Sequence, residues 1–248
     1  MKRLRIFAGP NGSGKSTLYD YLVNIHAFNE YYRINPDIIA KELPIALNLS
    51  NWGIDFSQDE LCIFLKKTTF QSLSKTPLSE MVNVSDKIVY LTDKNNQNTT
   101  YLSAAIAEFL RAKMIAESNS SFAYESVFSH KSKIDEIKYA QQNGYKIYLY
   151  IVATDDYHLN IERVCQRVKK GGHDVPEEKI KDRWFRTMDN IFDAFILADC
   201  VYFFDNSANT DTTVSFSYFA EKKEDTLFLS EETDKIPQWF DEYILRKM

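Results

Sequence analysis

The stretch Gly9-Pro-Asn-Gly-Ser-Gly-Lys-Ser-Thr17 follows the apolar run Leu4-Arg-Ile-Phe-Ala8, and the junction between them decides the fold. Gly9, Gly14, Lys15 and Ser16 satisfy the spacing Gly-x-x-x-x-Gly-Lys-Ser/Thr. Glycines let backbone N–H groups curl around an anion, and the start of the following helix adds a favourable dipole. The whole loop, Gly9, Pro10, Asn11, Gly12, Ser13, Gly14, Lys15, Ser16 and Thr17, is therefore expected to cradle the phosphates of ATP or GTP. Lys15 would reach the β- and γ-phosphates, and Ser16 would ligate Mg²⁺.

Working outward, residues 3 to 8 read as a short buried strand and Ser16 to about Ile25 as a helix, the order the loop requires. Tyr31 to Asn35 reads as a second strand, with Pro36 suited to the first turn of a helix. Ser121 to Ser126 and Tyr145 to Ala153 are further strands, the latter strongly β-prone, and Asp199 to Phe204 is a fifth. Between them lie helical patterns at Lys131 to Asn143, about His158 to Lys169, and Pro176 to about Phe195. Alternating strands and short connections predict an α/β fold of the P-loop NTPase type, doubly wound around a mainly parallel five-stranded sheet with helices on both faces. Ligands of such sheets bind beyond the carboxyl ends of the strands.

Residues from about 49 to 100 are richer in Asn, Ser, Thr and Lys, with one helix expected around Glu60 to Leu73. They read as an insertion into a single kinase-type domain covering 1–248. Leu102, Ile106, Phe109 and Leu110 then form a helical stripe, and the segment from about 212 to 248 suggests a strand pair and a last helix.

The 248 residues are 44% hydrophobic, enough for a substantial core, and carry a net charge of −5. That acidic balance, with a pI near 5.5, offers no global field for a nucleic-acid backbone, so nucleic acid is not the expected partner. Cys62, Cys165 and Cys200 are widely spaced and odd in number, which argues against a zinc site or disulfide framework and for reduced thiols in the cytoplasm. No apolar segment is long enough for a membrane span.

Asp37 lies one residue past Pro36, at the end of the second strand, where a carboxylate could accept the proton of an acceptor hydroxyl during phosphoryl transfer. The same carboxylate could equally serve free N–H groups at a helix start. Glu125 ends the third strand and could act on Mg²⁺ or on substrate, with Ser126 beside it. Arg163 and Arg167 are i, i+4 neighbours that can converge on one anion, and Arg183 returns from the next helix. The pair joined through Gly171-Gly172 reads as a hinged helical lid that supplies guanidiniums and excludes water; Lys169 and Lys170 read as solvated charge. His173 could contact substrate or simply bond a turn.

Ala8 to Thr17, Ile34-Asn-Pro-Asp37, Phe122-Ala-Tyr-Glu-Ser126, Arg167-Val-Lys-Lys-Gly-Gly-His-Asp-Val-Pro176, Arg183 and Asp205-Asn-Ser207 occur in an order that resembles the zeta toxin family of P-loop kinases. The likeness covers residues 2 to 48 and about 101 to 207. It implies transfer of the ATP γ-phosphoryl to the 3′-hydroxyl of the N-acetylglucosamine unit of UDP-N-acetylglucosamine, and an antitoxin as protein partner. It also implies that Asp37 is the base and that Lys15, Arg167 and Arg183 act on the phosphates. The chain departs from the family where Glu125 is followed by Ser126 and Val127 rather than by the family's Glu-x-Thr or Glu-Thr-Thr. A different class, a nucleotide-dependent switch that engages a protein partner, is also compatible with the loop and would respond to the partner rather than to an acceptor.

Overall fold

The computed structural model describes residues 1–28, 32–93, 99–172, 174–208, 216–231 and 235–248. In chain order the elements are β1 (Lys2–Ala8), α1 (Lys15–Asn24), β2 (Tyr32–Ile34), α2 (Pro36–Glu42), β3 (Leu47–Asn48), α3 (Gln58–Lys67), β4 (Val82–Ser85), β5 (Ile88–Leu91), α4 (Thr100–Glu117) and β6 (Phe122–Ser126). They continue with α5 (Ser132–Gln142), β7 (Tyr145–Ala153), α6 (Tyr157–Lys169), α7 (Glu177–Leu197), β8 (Cys200–Asp205), β9 (Ser217–Lys223), β10 (Thr226–Leu229) and α8 (Gln238–Tyr243). Two compact units result, one formed by Met1–Tyr31 with Ala123–Met248 and the other by Tyr32–Phe122.

The first unit is built on strands in the order β10-β9-β8-β7-β1-β6. β1 pairs in parallel with β7, which pairs in parallel with β8. The C-terminal strand pair expected from the sequence is built into the same sheet, β9 running antiparallel to β8 and β10 to β9. Parallel strands covered on both faces should read as nearly continuous apolar runs, and β7 does: Ile147, Leu149, Ile151, Val152 and Ala153 are fully buried. On one face Phe7, Tyr150, Val152 and Phe204 pack against Leu18, Tyr19 and Leu22 of α1. The stacked pair Phe7–Tyr150, with centroids 4.6 Å apart, locks β1 to β7 directly beneath α1. Burial pushes the Tyr150 phenol up to about 12.

Pairing of α6 with α7 is fixed by Val164, Val175 and Ile180, all buried, with Ile161 and Val168 packed against them. At its C-terminus α6 closes in a Schellman turn, where Gly172 N–H donates to the Arg167 carbonyl and Gly171 N–H to that of Val168. Gly171 takes the left-handed φ of 83° that this turn demands.

The second unit contains α2, α3, α4 and a small sheet ordered β3-β5-β4. The hairpin β4–β5 turns through Asp86 and Lys87, both left-handed at φ 52° and 64°, as a two-residue turn matching strand twist requires. Leu102, Ile106, Phe109 and Leu110 of α4 are buried as expected. The segment read as an insertion from 49 to 100 therefore sits in a larger unit that also includes β2, α2 and α4. The helix expected over Glu60 to Leu73 is two pieces: α3 ends at Lys67, and Thr68, whose hydroxyl accepts from Phe70 N–H, starts a 3₁₀ turn. The polar tract is described only at Thr99 and Thr100, since 94–98 lie outside the described residues.

Candidate active site

Gly9–Thr17 spans the carboxyl end of β1 and the first turn of α1. All three of its glycines are sterically required, Gly9 because a Cβ would collide with the Val152 carbonyl. Gly12 has φ 75°, and a Cβ there would lie 2.6 Å from the Asn160 carbonyl oxygen; Gly14 has φ 100°, and a Cβ there would lie 2.8 Å from Asn206 Nδ2. Lys15 Nζ donates to the carbonyls of Gly9 and Pro10, 2.8 Å each, so the lysine curls over the mouth of the loop where phosphate oxygens would compete for it. Ser16 Oγ donates to Glu125 Oε2 at 2.5 Å, which brings the hydroxyl after the lysine and the acid at the end of β6 into one hard-oxygen pair.

Both helices of the α6–α7 pair reach this loop through Asn11. Asn160 of α6 donates from Nδ2 to the Asn11 carbonyl at 2.6 Å, and Arg183 Nη1 of α7 donates to Asn11 Oδ1 at 3.4 Å. Arg163 Nη2 donates to Asn206 Oδ1 at 3.5 Å, while Asn206 Nδ2 donates to the Ser13 carbonyl at 2.8 Å. Burial holds the Arg163 guanidinium below its usual pKa, opposed by Asp205. Lys15, Ser16, Glu125, Arg163 and Arg183 are thus gathered around the phosphate loop within the first unit.

Arg167 is located by a different contact, its stem lying against Gly172 at the end of α6. Ser126 turns its oxygen to the backbone, accepting from Phe128 N–H at 3.0 Å, where Phe128 adopts φ 64°. Asp37 belongs to the second unit, in the first turn of α2, with its N–H donating to Oδ1 of the cap residue Asn35 at 2.8 Å. His173 lies outside the described residues. Asn160, Asn206 and the side chain of Asn11 were not assigned roles by sequence reasoning. The only signal for them was the position of Asp205-Asn-Ser207 at a strand end and of a polar residue one turn before Arg163.

A sequence model of the zeta toxin family matches residues 89–216, just over half of the chain. The chain belongs to the zeta toxin family, a family of P-loop kinases. The matched stretch runs from β5 past β8 and includes Glu125, Arg163, Arg167 and Arg183, while the phosphate loop precedes it. An uncharacterized protein of Haemophilus influenzae is 25% identical over 118 residues, 48% of this chain and 84% of that protein. Among solved structures, AvrRxo1-ORF1:AvrRxo1-ORF2 with ATP is similar with a TM-score of 0.57 at 13% identity, over 92% of this chain and 60% of that one. The same assembly with sulphate ions gives a TM-score of 0.54, 13% identity, and 94% and 62% coverage. The structure reported for the PezAT toxin–antitoxin system of Streptococcus pneumoniae gives a TM-score of 0.51 at 13% identity, covering 98% of this chain and 79% of that one. These likenesses establish the α/β fold, and this zeta toxin family chain spans about 62% of the length of the AvrRxo1 chain.

Among the described residues no helix is long and apolar enough to cross a membrane, and no cluster of three or more His, Cys, Asp or Glu could hold a metal ion. Ser16 and Glu125 fit Mg²⁺ nonetheless, because that ion is held by one or two protein oxygens together with nucleotide phosphates and waters.

Proposed function

We propose that this zeta toxin family member is an ATP-dependent kinase that phosphorylates a hydroxyl of a sugar nucleotide of the UDP-N-acetylglucosamine type. The observation that carries the reading is the convergence of Lys15, the Ser16–Glu125 pair and Arg183 on one phosphate loop. In this mechanism the loop N–H groups hold the β-phosphate. Lys15 leaves the Gly9 and Pro10 carbonyls for the γ-phosphate. Arg183 exchanges Asn11 Oδ1 for a transferring oxygen and stabilises charge as it develops. Ser16 and Glu125 would hold Mg²⁺, which when bound neutralises the β- and γ-oxygens. Asp37 is proposed as the base that takes the acceptor proton, with Arg163, Arg167, Ser126 and His173 contributing to the phosphates or the acceptor.

Family membership and the ATP bound in the AvrRxo1 structure support the choice of nucleotide. The PezAT toxin–antitoxin system supports an antitoxin as partner. The test is to incubate the chain with ATP, Mg²⁺ and a panel of sugar nucleotides and to look for a mass gain of one phosphoryl group. The expected result is one acceptor modified by wild type, with Asp37→Asn binding ATP but not turning over. ATP consumption that ignores every acceptor and follows an added protein instead would overturn the kinase reading in favour of a switch.

A further inference from the structure

We propose that Asn160 and Asn206 are positioning residues for nucleotide binding, two buried amides that hold the phosphate loop in its anion-binding shape from the outside. The inference deepens the reading of Gly9–Thr17 as the phosphate site and rests on it. A loop whose N–H groups point inward at an anion must turn carbonyls outward, and each buried carbonyl needs a donor. The Asn11 carbonyl receives Asn160 Nδ2 at 2.6 Å and the Ser13 carbonyl receives Asn206 Nδ2 at 2.8 Å. Asn160 is fully buried and Asn206 is 7% exposed.

Each amide is held at its other end. Asn160 Oδ1 accepts from the buried Thr154 hydroxyl, and Asn206 Oδ1 accepts from Arg163. Asn206 N–H also donates to the Ala153 carbonyl at 2.9 Å. The brace therefore runs from the end of β7 to the two outward carbonyls that flank Gly12. An amide suits both positions because it donates to a carbonyl and accepts from a hydroxyl or guanidinium with one planar group. A carboxylate would set oxygen against oxygen, and an alkyl group would leave the carbonyl without its donor. Lys15 bonds the carbonyls of Gly9 and Pro10, so the lysine and the two asparagines hold different carbonyls of the same loop.

The experiment is calorimetric titration of the full chain with ADP and ATP in Mg²⁺, for wild type, Asn160→Ala, Asn206→Ala and the isosteric Asn206→Asp. Each variant is expected to weaken both nucleotides by the same factor, about tenfold, corresponding to loss of one hydrogen bond's worth of preorganisation. The loss should appear in KM for ATP rather than in kcat, since both amides donate to carbonyls of the loop that binds the nucleotide. Asn206→Asp keeps the size of the side chain, so it reports even where an alanine variant fails to fold. A wild type that binds neither nucleotide overturns the phosphate-loop reading and this one with it. A wild type that binds, with folded variants matching it within twofold or losing only thermal stability, overturns the brace alone.

Discussion

Gly172 and Arg167 compete for the same space: a Cβ on Gly172 would lie 2.5 Å from Arg167 Cγ and 3.0 Å from the Arg167 carbonyl oxygen. The glycine thus sets the path of an arginine stem as well as closing a helix. Its neighbour does a different job, since a Cβ on Gly171 would meet nothing within 4 Å and only its φ of 83° is demanding. The two positions disturb different things. Gly172→Ala is expected to push the Arg167 stem aside and lower kcat about tenfold or more, with a stability cost of about 1–3 kcal/mol from the crowding. Gly171→Ala is expected to cost about 1–2 kcal/mol of stability through left-handed strain, with kcat retained. Steady-state kinetics with thermal melts on both variants checks this, and Arg167→Ala added to Gly172→Ala should bring little further loss.

Ser16 donates its only hydroxyl proton to Glu125, so the pair is assembled before any ion arrives. Ser16→Ala removes the hydroxyl proposed to ligate Mg²⁺ and leaves the Glu125 carboxylate in place. The Mg²⁺ concentration giving half-maximal turnover is expected to rise about tenfold or more, while nucleotide affinity in EDTA stays close to wild type. Titrating Mg²⁺ at fixed ATP measures it. An unchanged Mg²⁺ requirement would remove Ser16 from the ion's ligands.

Arg183 reaches the loop across 172 residues of sequence to a side-chain oxygen, a neutral partner that a phosphate readily replaces. Arg183→Ala is expected to lower kcat at least about a hundredfold with a much smaller effect on ATP affinity, the signature of an interaction strongest in the transition state. Arg183→Lys should recover part of the loss, because charge returns without the planar fork. Single-turnover kinetics compared with binding isotherms separates the two effects.

These expectations differ in how visible their parts were in the sequence. β7 was legible residue for residue because Tyr145 to Ala153 is a run of aromatic and β-branched residues that packs well only in a covered strand. The turn at Gly171 was legible because a left-handed backbone leaves glycine as the ordinary choice. The end of α3 was not, since Thr68 looks like any helix residue until its hydroxyl is seen holding Phe70 N–H. Nor was the capping box of that helix read, although Ser57 and Glu60 stand at the required spacing. Asn160 and Asn206 were the hardest, because their partners are main-chain carbonyls 149 and 193 residues away, and nothing in a linear pattern distinguishes such an amide from a surface one.

The loop that carries Asn206 is in turn held by the C-terminal segment. Trp239, 1% exposed, donates from its indole Nε1 to Asp205 Oδ1 and from its backbone N–H to Asp155 Oδ1, 3.0 Å each. Ser207 closes the arrangement, its hydroxyl donating to Asp205 at 2.8 Å and accepting from Asp155 N–H at 2.9 Å. The ring itself packs with Phe203, Phe219 and Phe240, so its apolar contribution and its polar one can be separated. Trp239→Phe keeps most of the packing and removes the indole donor from a partly buried carboxylate. The expected cost is about 1.5–3 kcal/mol in chemical denaturation, the range for a hydrogen bond to a charged acceptor. Because Asp205 precedes Asn206, the same variant should weaken ADP binding severalfold, less than Asn206→Ala does. A loss of stability with ADP affinity untouched would confine α8 to a structural role, and loss of both would join the C-terminal helix to the nucleotide site through two consecutive residues.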